Sequence, residues 1–198
     1  FKTINRVTMD DYEGKSIMQL IQLGCSHLAW HTNLDAATGG VTDSLINAWG
    51  FAACQKTIFE DGIGRLIHLN EEVMLSALMQ RAEAVQEEAR AFMDKKSLAS
   101  RNAVKLHGLG NDRMIQKIAF CGGSGNGCVE AFVQSEADLL ITGELGYHQS
   151  LLCEYHQKSV LLMGHKQSEV FVLDEIKARL VTAFPELARC VVMGKTDS

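Results

Sequence analysis

The sequence predicts an α/β fold, layered αβα, with helices on both faces of a mostly parallel sheet. In the second half of the chain, short apolar runs alternate with segments of helical length. This alternation is typical of crossover connections between parallel strands. The chain has 198 residues, of which 46% are hydrophobic and 22% charged. That length and composition suffice for a buried core, and we expect one domain spanning residues 1–198.

In the second half of the sequence we predict four strands, three helices and one glycine-rich loop. The predicted strands are residues 117–121, 137–142, 159–163 and 188–193. The predicted helices are residues 128–135, 146–157 and 167–184, with the chain's one proline at position 185. Residues 122–127, Gly-Gly-Ser-Gly-Asn-Gly, form the loop between the first strand and its helix.

The first half is less regular. Helices are predicted at residues 15–24, 41–49 and 71–91, and a strand at residues 26–32. Residues 51–69 predict two strands joined at Asp61-Gly62. In the long helix, we expect Met74, Leu75, Leu78 and Met79 to form a core stripe. Residues 97–111 are polar and predict a surface connection.

Charge and cysteine usage exclude several classes of protein. The net charge of −5, without a basic tract, argues against nonspecific binding to nucleic acid. No apolar run has the length of a membrane span, so we expect no membrane partner. The six cysteines form no Cys-x-x-Cys pair. They predict reduced thiols in a cytoplasmic protein.

Polar and ionisable residues follow the predicted strands where each one ends, which is where open α/β sheets bind ligands. His165 and Glu169 are four residues apart, so a helix beginning after Gly164 places both on one face. Histidine and carboxylate ligands suit Zn, Mn or Fe. The residues that meet at this edge are Gly122, Gly123, Ser124, Thr142, Glu144, His148, His165 and Glu169, with His31 and Asp35 after an earlier apolar run.

Two features have alternative interpretations. The glycine-rich loop either cradles a phosphate through backbone N–H groups or is a tight turn that needs positive φ. It lacks the Lys-Ser/Thr of a P-loop. The remaining histidines are assigned to surface or core: His27, His68, His107 and His156.

Four blocks of the sequence resemble the signature blocks of the Nif-three-like family, whose members are often called GTP cyclohydrolase 1 type 2 homologues. They begin at His31, Phe120, Ala137 and Gly164 and occur in the family's order. The resemblance runs from about Phe1 to the end of the chain and implies a Nif-three-like fold.

The resemblance also implies a dinuclear site for divalent ions, up to two per protomer. Asp35, His165 and Glu169 match metal ligands, the glutamate shared between the ions. Glu144 and His148 match pocket residues that we expect to handle protons. His31, Thr142, Gly122, Gly123 and Ser124 are expected to line the pocket.

The family's further histidine ligands form a His-His-Pro-like pair before the region where this chain starts. We therefore expect part of the ligand set, and the N-terminal part of the sheet, to be missing. The resemblance further implies a homo-oligomer, a hexameric ring.

Three functions remain open. The first is a metal-dependent hydrolase acting on a small, nucleotide-like substrate, which the family label describes as GTP cyclohydrolase 1 type 2. The second is a non-catalytic metal-binding regulatory or scaffold protein that contacts transcriptional regulators. A third hypothesis is a metal-free nucleotide sensor that uses the glycine-rich loop.

Overall fold

The structure is a computed structural model that describes residues 3–93, 103–108 and 113–191. It comprises two compact units, residues 1–31 and residues 32–198. In the first unit, helix α1 spans Tyr12–Gln22. It begins earlier than predicted because the Asp11 carboxylate accepts a hydrogen bond from the Gly14 N–H (2.6 Å) and caps the helix.

The predicted strand at residues 26–32 is wrong. Residues 25–30 have no regular structure and are exposed, and residue 32 begins a helix of the second unit. An apolar run becomes a strand only where a neighbouring strand accepts its backbone hydrogen bonds. No strand in the described part of the chain pairs with this run.

The second unit alternates helices and strands. Its helices are α2 (Thr32–Ala36), α3 (Val41–Ala48), α4 (Leu75–Phe92), α5 (Val129–Gln134), α6 (Tyr147–Tyr155), α7 (His165–Glu169) and α8 (Val172–Ala183). Its strands are β1 (Lys56–Ile58), β2 (Arg65–Met74), β3 (Lys105–His107), β4 (Met114–Ser124), β5 (Leu139–Glu144) and β6 (Ser159–Leu162). Short 3-10 helices span Gly125–Cys128 and Pro185–Arg189.

The strands form one six-stranded sheet in the order β1-β2-β4-β5-β6-β3. The central strands β4, β5 and β6 are parallel, while β1, β2 and β3 add antiparallel pairings at the two sides. The predicted α/β fold is confirmed. Its parallel part is the central three strands, and the sheet as a whole is mixed.

Helices cover both faces of the sheet, as the layered prediction requires. Neighbouring residues of one strand enter different cores because strand side chains alternate between faces. Leu139 and Ile141 join a cluster with residues of α3 and α4, whereas Leu140 joins a cluster with residues of α5 and α6. The parallel strands therefore lie between two apolar layers.

Helix α4 begins at Leu75, four residues later than predicted. Val73 and Met74 instead pair with Ile115 and Met114 and extend β2. In the predicted core stripe, Leu75 and Leu78 are buried, whereas Met74 is 45% exposed. Strand pairing overrides helix propensity here.

The chain after β6 also differs from the prediction. The helix predicted at residues 167–184 is two helices, α7 and α8, separated near Phe171. The ring of Phe171 packs edge-to-face on Phe92 of α4, with centroids 5.9 Å apart. This packing draws residue 171 toward the core and interrupts the helix.

The strand predicted at residues 188–193 is wrong where the structure describes it. Residues 185–189 form a 3-10 helix, and the N–H of Val191 donates to the Leu187 carbonyl. Local turns thus use the hydrogen bonds that a strand would need. Residues 192 and 193 lie outside the described residues.

The connection predicted at residues 97–111 contains strand β3, and most of the remainder lies outside the described residues. Within the described ranges, no helix is long and apolar enough to cross a membrane.

Candidate metal centre

The parallel strands β4, β5 and β6 end at one edge of the sheet. Ser124 of β4 pairs with Glu144 of β5, and Thr142 of β5 pairs with Leu162 of β6. Two residues after β6, Gly164 (φ 95°) donates its N–H to the carbonyl of Gly143 and starts α7. The three strand ends therefore bring Ser124, Glu144 and the first residue of α7 to one edge.

His165 lies between two glutamates. Its Nδ1 is 2.9 Å from Oε1 of Glu144, and its Nε2 is 3.1 Å from Oε1 of Glu169. The Glu169 contact is the i,i+4 pair predicted from the sequence. Because a carboxylate only accepts hydrogen bonds, a proton on Nδ1 is donated to Glu144, and this contact orients the imidazole ring.

The glutamates change the protonation of His165. Burial alone would lower its pKa, but the hydrogen bond with Glu144 and the charges of Glu169 and Glu144 outweigh that effect. The pKa of His165 is therefore raised above the ordinary value of 6.5. All three side chains stay partly exposed, so they are accessible to a ligand from solvent.

The glycine-rich segment forms one wall of this cluster. Gly123 has φ +66°, and a Cβ there would overlap Oε1 of Glu169 and lie 3.3 Å from Nε2 of His165. Its N–H donates to Oγ of Ser168 (2.9 Å), whose hydroxyl donates to the His165 carbonyl (2.7 Å). Glycine is therefore required for two reasons, the positive φ and the close approach of the carboxylate.

The other predicted lining residues divide into buried and exposed ones. Thr142 is fully buried, and its hydroxyl donates to the Gly123 carbonyl (3.4 Å). The Gly122 N–H donates to the Thr42 hydroxyl (3.3 Å). Gly122 and Thr142 are thus buried and hydrogen-bonded, whereas Ser124 is exposed.

Three further predicted residues belong to other segments of the chain. His148 lies exposed in α6, where its ring packs edge-to-face on Tyr147. Asp35 is half-buried in α2, which contacts α3, and α3 in turn contacts α7. His31 is the last residue of the first unit and is exposed.

Ser168 was not among the residues predicted from the sequence. It lies three residues after His165, is fully buried, and connects α7 to the glycine-rich wall. Helical spacing could have identified Ser168, because a residue three positions after His165 lies beside it on the same face of the helix.

The donor atoms fit one part of a metal site. Nε2 of His165 and Oε1 of Glu169 are 3.1 Å apart, a separation suited to one ion with bonds of about 2.0–2.2 Å to each. The contact of Nδ1 with Glu144 is the second hydrogen bond that metal-bound histidines usually make. Among the described residues, no three His, Cys, Asp or Glu side chains come together in an arrangement that would hold an ion.

Comparison with known proteins identifies the family. The family model Duf34/NIF3 (NGG1p interacting factor 3) matches residues 1–197. The chain is 30% identical to the Protein NIF3 homolog of Schizosaccharomyces pombe, over 93% of this chain and 65% of that protein. It is 27% identical to a GTP cyclohydrolase 1 type 2 homolog of Clostridium acetobutylicum, over 85% of this chain and 60% of that protein. It thus spans less than two thirds of the length of these relatives.

Solved structures share the fold. A Staphylococcus aureus protein superposes with a TM-score of 0.72 at 19% identity, covering all of this chain and 75% of its own. A Bacillus cereus protein related to NIF3 superposes with a TM-score of 0.69 at 16% identity, covering 93% of this chain and 75% of its own. The resemblance of the four sequence blocks is confirmed, and the chain belongs to the Duf34/NIF3 family.

Proposed function

We propose that this chain is a metal-dependent hydrolase-like protein in which His165 and Glu169 bind a divalent ion. The observation that carries the proposal is the position of His165 between two carboxylates, with its Nε2 directed to Glu169 and its Nδ1 to Glu144. An ion held there would activate a water molecule and polarise an acyl or phosphoryl bond. Zn, Mn and Fe suit these ligand types.

Each residue of the proposed centre has a distinct role. His165 and Glu169 supply two donor atoms, and Asp35 supplies a third from α2. Glu144 accepts a hydrogen bond from the Nδ1–H of His165, so that the unprotonated Nε2 can bind the ion. The exposed His148 exchanges protons with the substrate or solvent. A second ion needs donors beyond these three, so the dinuclear centre implied by the family resemblance needs ligands that these residues do not supply.

The substrate proposal rests on the names of relatives and on the glycine-rich wall. Two matched clostridial proteins are named GTP cyclohydrolase 1 type 2 homolog. Small glycine-rich backbone segments can approach phosphate oxygens closely. GTP is therefore the first compound to test, as a member of the nucleotide-like class.

The first experiment is metal content per protomer, measured by elemental analysis of protein purified without chelators. We expect a transition-metal signal that disappears in an Asp35→Ala, His165→Ala double variant. The exposed His156 gives a matched control, because His156→Ala removes an imidazole elsewhere and should keep the metal. A wild-type protein without metal under metal-replete purification would contradict the proposal.

A second candidate function is a non-catalytic metal-binding regulator. A matched yeast protein, 29% identical, is named NGG1-interacting factor 3, which suggests a protein partner as the alternative to a substrate. Glu169→Gln discriminates between the two functions. A catalytic metal predicts lost turnover with unchanged folding and assembly, whereas a structural metal predicts a lower melting temperature or a smaller oligomer.

A further inference from the structure

A cleft of about 580 Å³ lies between helix α6 and strand β3, which is an edge strand of the described sheet. Clefts of about 300–1,000 Å³ are the usual size of small-molecule sites in proteins. The residues that line it belong to the second compact unit. Within the described part of the chain, neither His165 nor its two glutamates line the cleft. It is therefore a separate feature from the candidate metal centre.

The cleft has an apolar surface along one side of α6. Tyr147 and Leu151 are four residues apart, so they lie on the same face of the helix. Both line the cleft, and they are 74% and 44% exposed. Leu145 and Leu162, which are partly buried against the core on this side of the sheet, continue the apolar surface. An apolar group that enters the cleft therefore removes exposed apolar area from water.

Strand β3 adds positive charge beside this apolar surface. Lys105 and His107 both line the cleft and are two positions apart, so they lie on one face of the strand. Leu106, between them, packs against the core on the opposite face of the sheet. Among the described residues, no carboxylate forms a salt bridge with Lys105 or His107. The ammonium of Lys105 is therefore available to a ligand.

The two ends of the cleft differ in charge. Lys105 pairs with Leu162, the last residue of β6, at the end of the cleft where α6 begins. Glu154 and Lys158 line the opposite end, where α6 ends and β6 begins. Nζ of Lys158 already donates to two backbone carbonyls (2.9 and 2.6 Å), and the charge of Glu154 offsets its charge. The surplus positive charge is therefore at Lys105, although the chain as a whole has a net charge of −5.

Hydrogen bonds hold the end of the cleft near Lys105 in place. The N–H of Gly146 donates to Oδ1 of Asn126 (2.7 Å), which ties the start of α6 to the glycine-rich segment. The hydroxyl of Ser150, which also lines the cleft, donates to the Gly146 carbonyl (3.1 Å). A preorganised site loses less conformational entropy when a ligand binds. This end therefore presents a preformed surface to a ligand.

We propose that the cleft between α6 and β3 is a binding site for a small aromatic carboxylate. The carboxylate pairs with the ammonium of Lys105, and the ring lies on the apolar surface that includes Leu151. An aromatic ring is favoured over an aliphatic chain because it can stack on the exposed ring of Tyr147. The inference is independent of the proposed metal-binding function, since none of these contacts involves an ion.

The probe is indole-3-acetate, titrated into the isotope-labelled full chain in the presence of chelator and followed by NMR. We expect saturable shifts at Tyr147 and Leu151, with a Kd of about 1 mM or tighter. Indole-3-acetamide has nearly the same shape without the charge, and it should bind about tenfold more weakly. Equal affinity for the two compounds, or no saturable binding of indole-3-acetate, would overturn the proposal.

Lys105→Met tests the charge, because it keeps an unbranched side chain and removes the ammonium. We expect about tenfold weaker binding of indole-3-acetate, with the binding of the amide unchanged. The matched control is Lys177→Met, at an exposed position of α8, which should bind as the wild type does. The same affinity in Lys105→Met and in the wild type would contradict the pairing with Lys105.

A second variant tests the apolar surface without changing Lys105. Leu151→Gln alters an exposed position, so the protein should fold, as its NMR spectrum checks. We expect it to weaken the binding of both compounds by the same factor, since it removes contact with the ring and not with the charge. Unchanged affinity in the folded variant, or shifts confined to residues outside the cleft, would overturn the proposal. Metal content tests the proposed function separately, so the two proposals fail independently.

Discussion

Glu144, the last residue of β5, lies 2.9 Å from Nδ1 of His165, the first residue of α7. The two residues are 21 positions apart in the sequence and meet because β5 and β6 are parallel neighbours. In the proposed centre this contact orients the imidazole of His165, while the proton transfer expected of Glu144 from the sequence stays a prediction.

Glu144→Gln should weaken metal binding about 10- to 100-fold, because it replaces the carboxylate that accepts the Nδ1 proton while leaving His165 and Glu169 in place. The measurement is a competition titration against a chromophoric chelator. Glu130→Gln, at an exposed position of α5, is the control and should have no effect. Equal affinities in the two variants would mean that Glu144 does not orient the ligand.

The raised pKa of His165 predicts a pH dependence of stability in metal-free protein. Because the folded pKa lies above the unfolded value, protonated His165 contributes stability that is fully present below about pH 6.5. This contribution is lost as the pH rises through the folded pKa. Urea denaturation across this range in chelator should show the decline, and His165→Asn should flatten it.

NMR titration checks the cause of that shift. The midpoint for His165 should lie above 6.5 in the metal-free wild type. It should fall in both Glu169→Gln and Glu144→Gln, since each removes one of the negative charges that raise the pKa. A midpoint that neither substitution lowers would show that the carboxylates do not act on this histidine.

Gly123→Ala should destabilise the protein by about 1–3 kcal/mol, because alanine is strained at positive φ. Its Cβ would also overlap Glu169, so we expect weaker metal binding as well. The matched control is Gly127→Ala in the same glycine-rich segment, where a Cβ meets nothing within 4 Å. Urea denaturation measures both variants, and equal stabilities would contradict the requirement for glycine at position 123.

The cysteines should react in an order set by burial. Cys25 and Cys190 are exposed, whereas Cys121, Cys128 and Cys153 are buried. Burial raises the pKa of Cys153 to about 11, so only about one molecule in a thousand carries its thiolate at pH 8. We expect iodoacetamide to label Cys25 and Cys190 first, and Cys153 only in denaturant, as resolved by peptide mass spectrometry. Early labelling of Cys153 in native protein would contradict this burial.

The central parallel strands were predictable because each is a compact apolar run bounded by glycine or a polar residue, whereas the apolar run at residues 188–191 did not form a strand. The parallel core β4-β5-β6 and helices α5 and α6 follow directly from that pattern. The strand pair β1–β2 agrees with the two strands predicted within residues 51–69. The antiparallel pairings of β2 with β4 and of β3 with β6 were not predicted, since they join segments distant in the sequence. Residues 73 and 74 illustrate this, because their pairing with β4 converts a predicted helix start into strand.

The candidate site was predictable where helical spacing or strand ends place residues together. His165, Glu169 and Glu144 meet as expected, through local spacing and neighbouring strands. The buried contact between Arg65 and α2 was not predicted, because the Ala36 carbonyl that accepts its hydrogen bond is 29 residues away. A contact to backbone leaves no pattern of side-chain types in the sequence.

Nη2 of the buried Arg65, the first residue of β2, donates to the carbonyl of Ala36 at the end of α2 (2.9 Å). This hydrogen bond has a consequence for the order in which the molecule loses its structure. The turn between β1 and β2 lies at the side of the sheet, where local opening requires less free energy than in the central strands. If that turn opens, the guanidinium releases the segment carrying Asp35 while β4, β5 and β6 stay paired. Opening at this side of the sheet would thus free the end of α2 before the central strands separate.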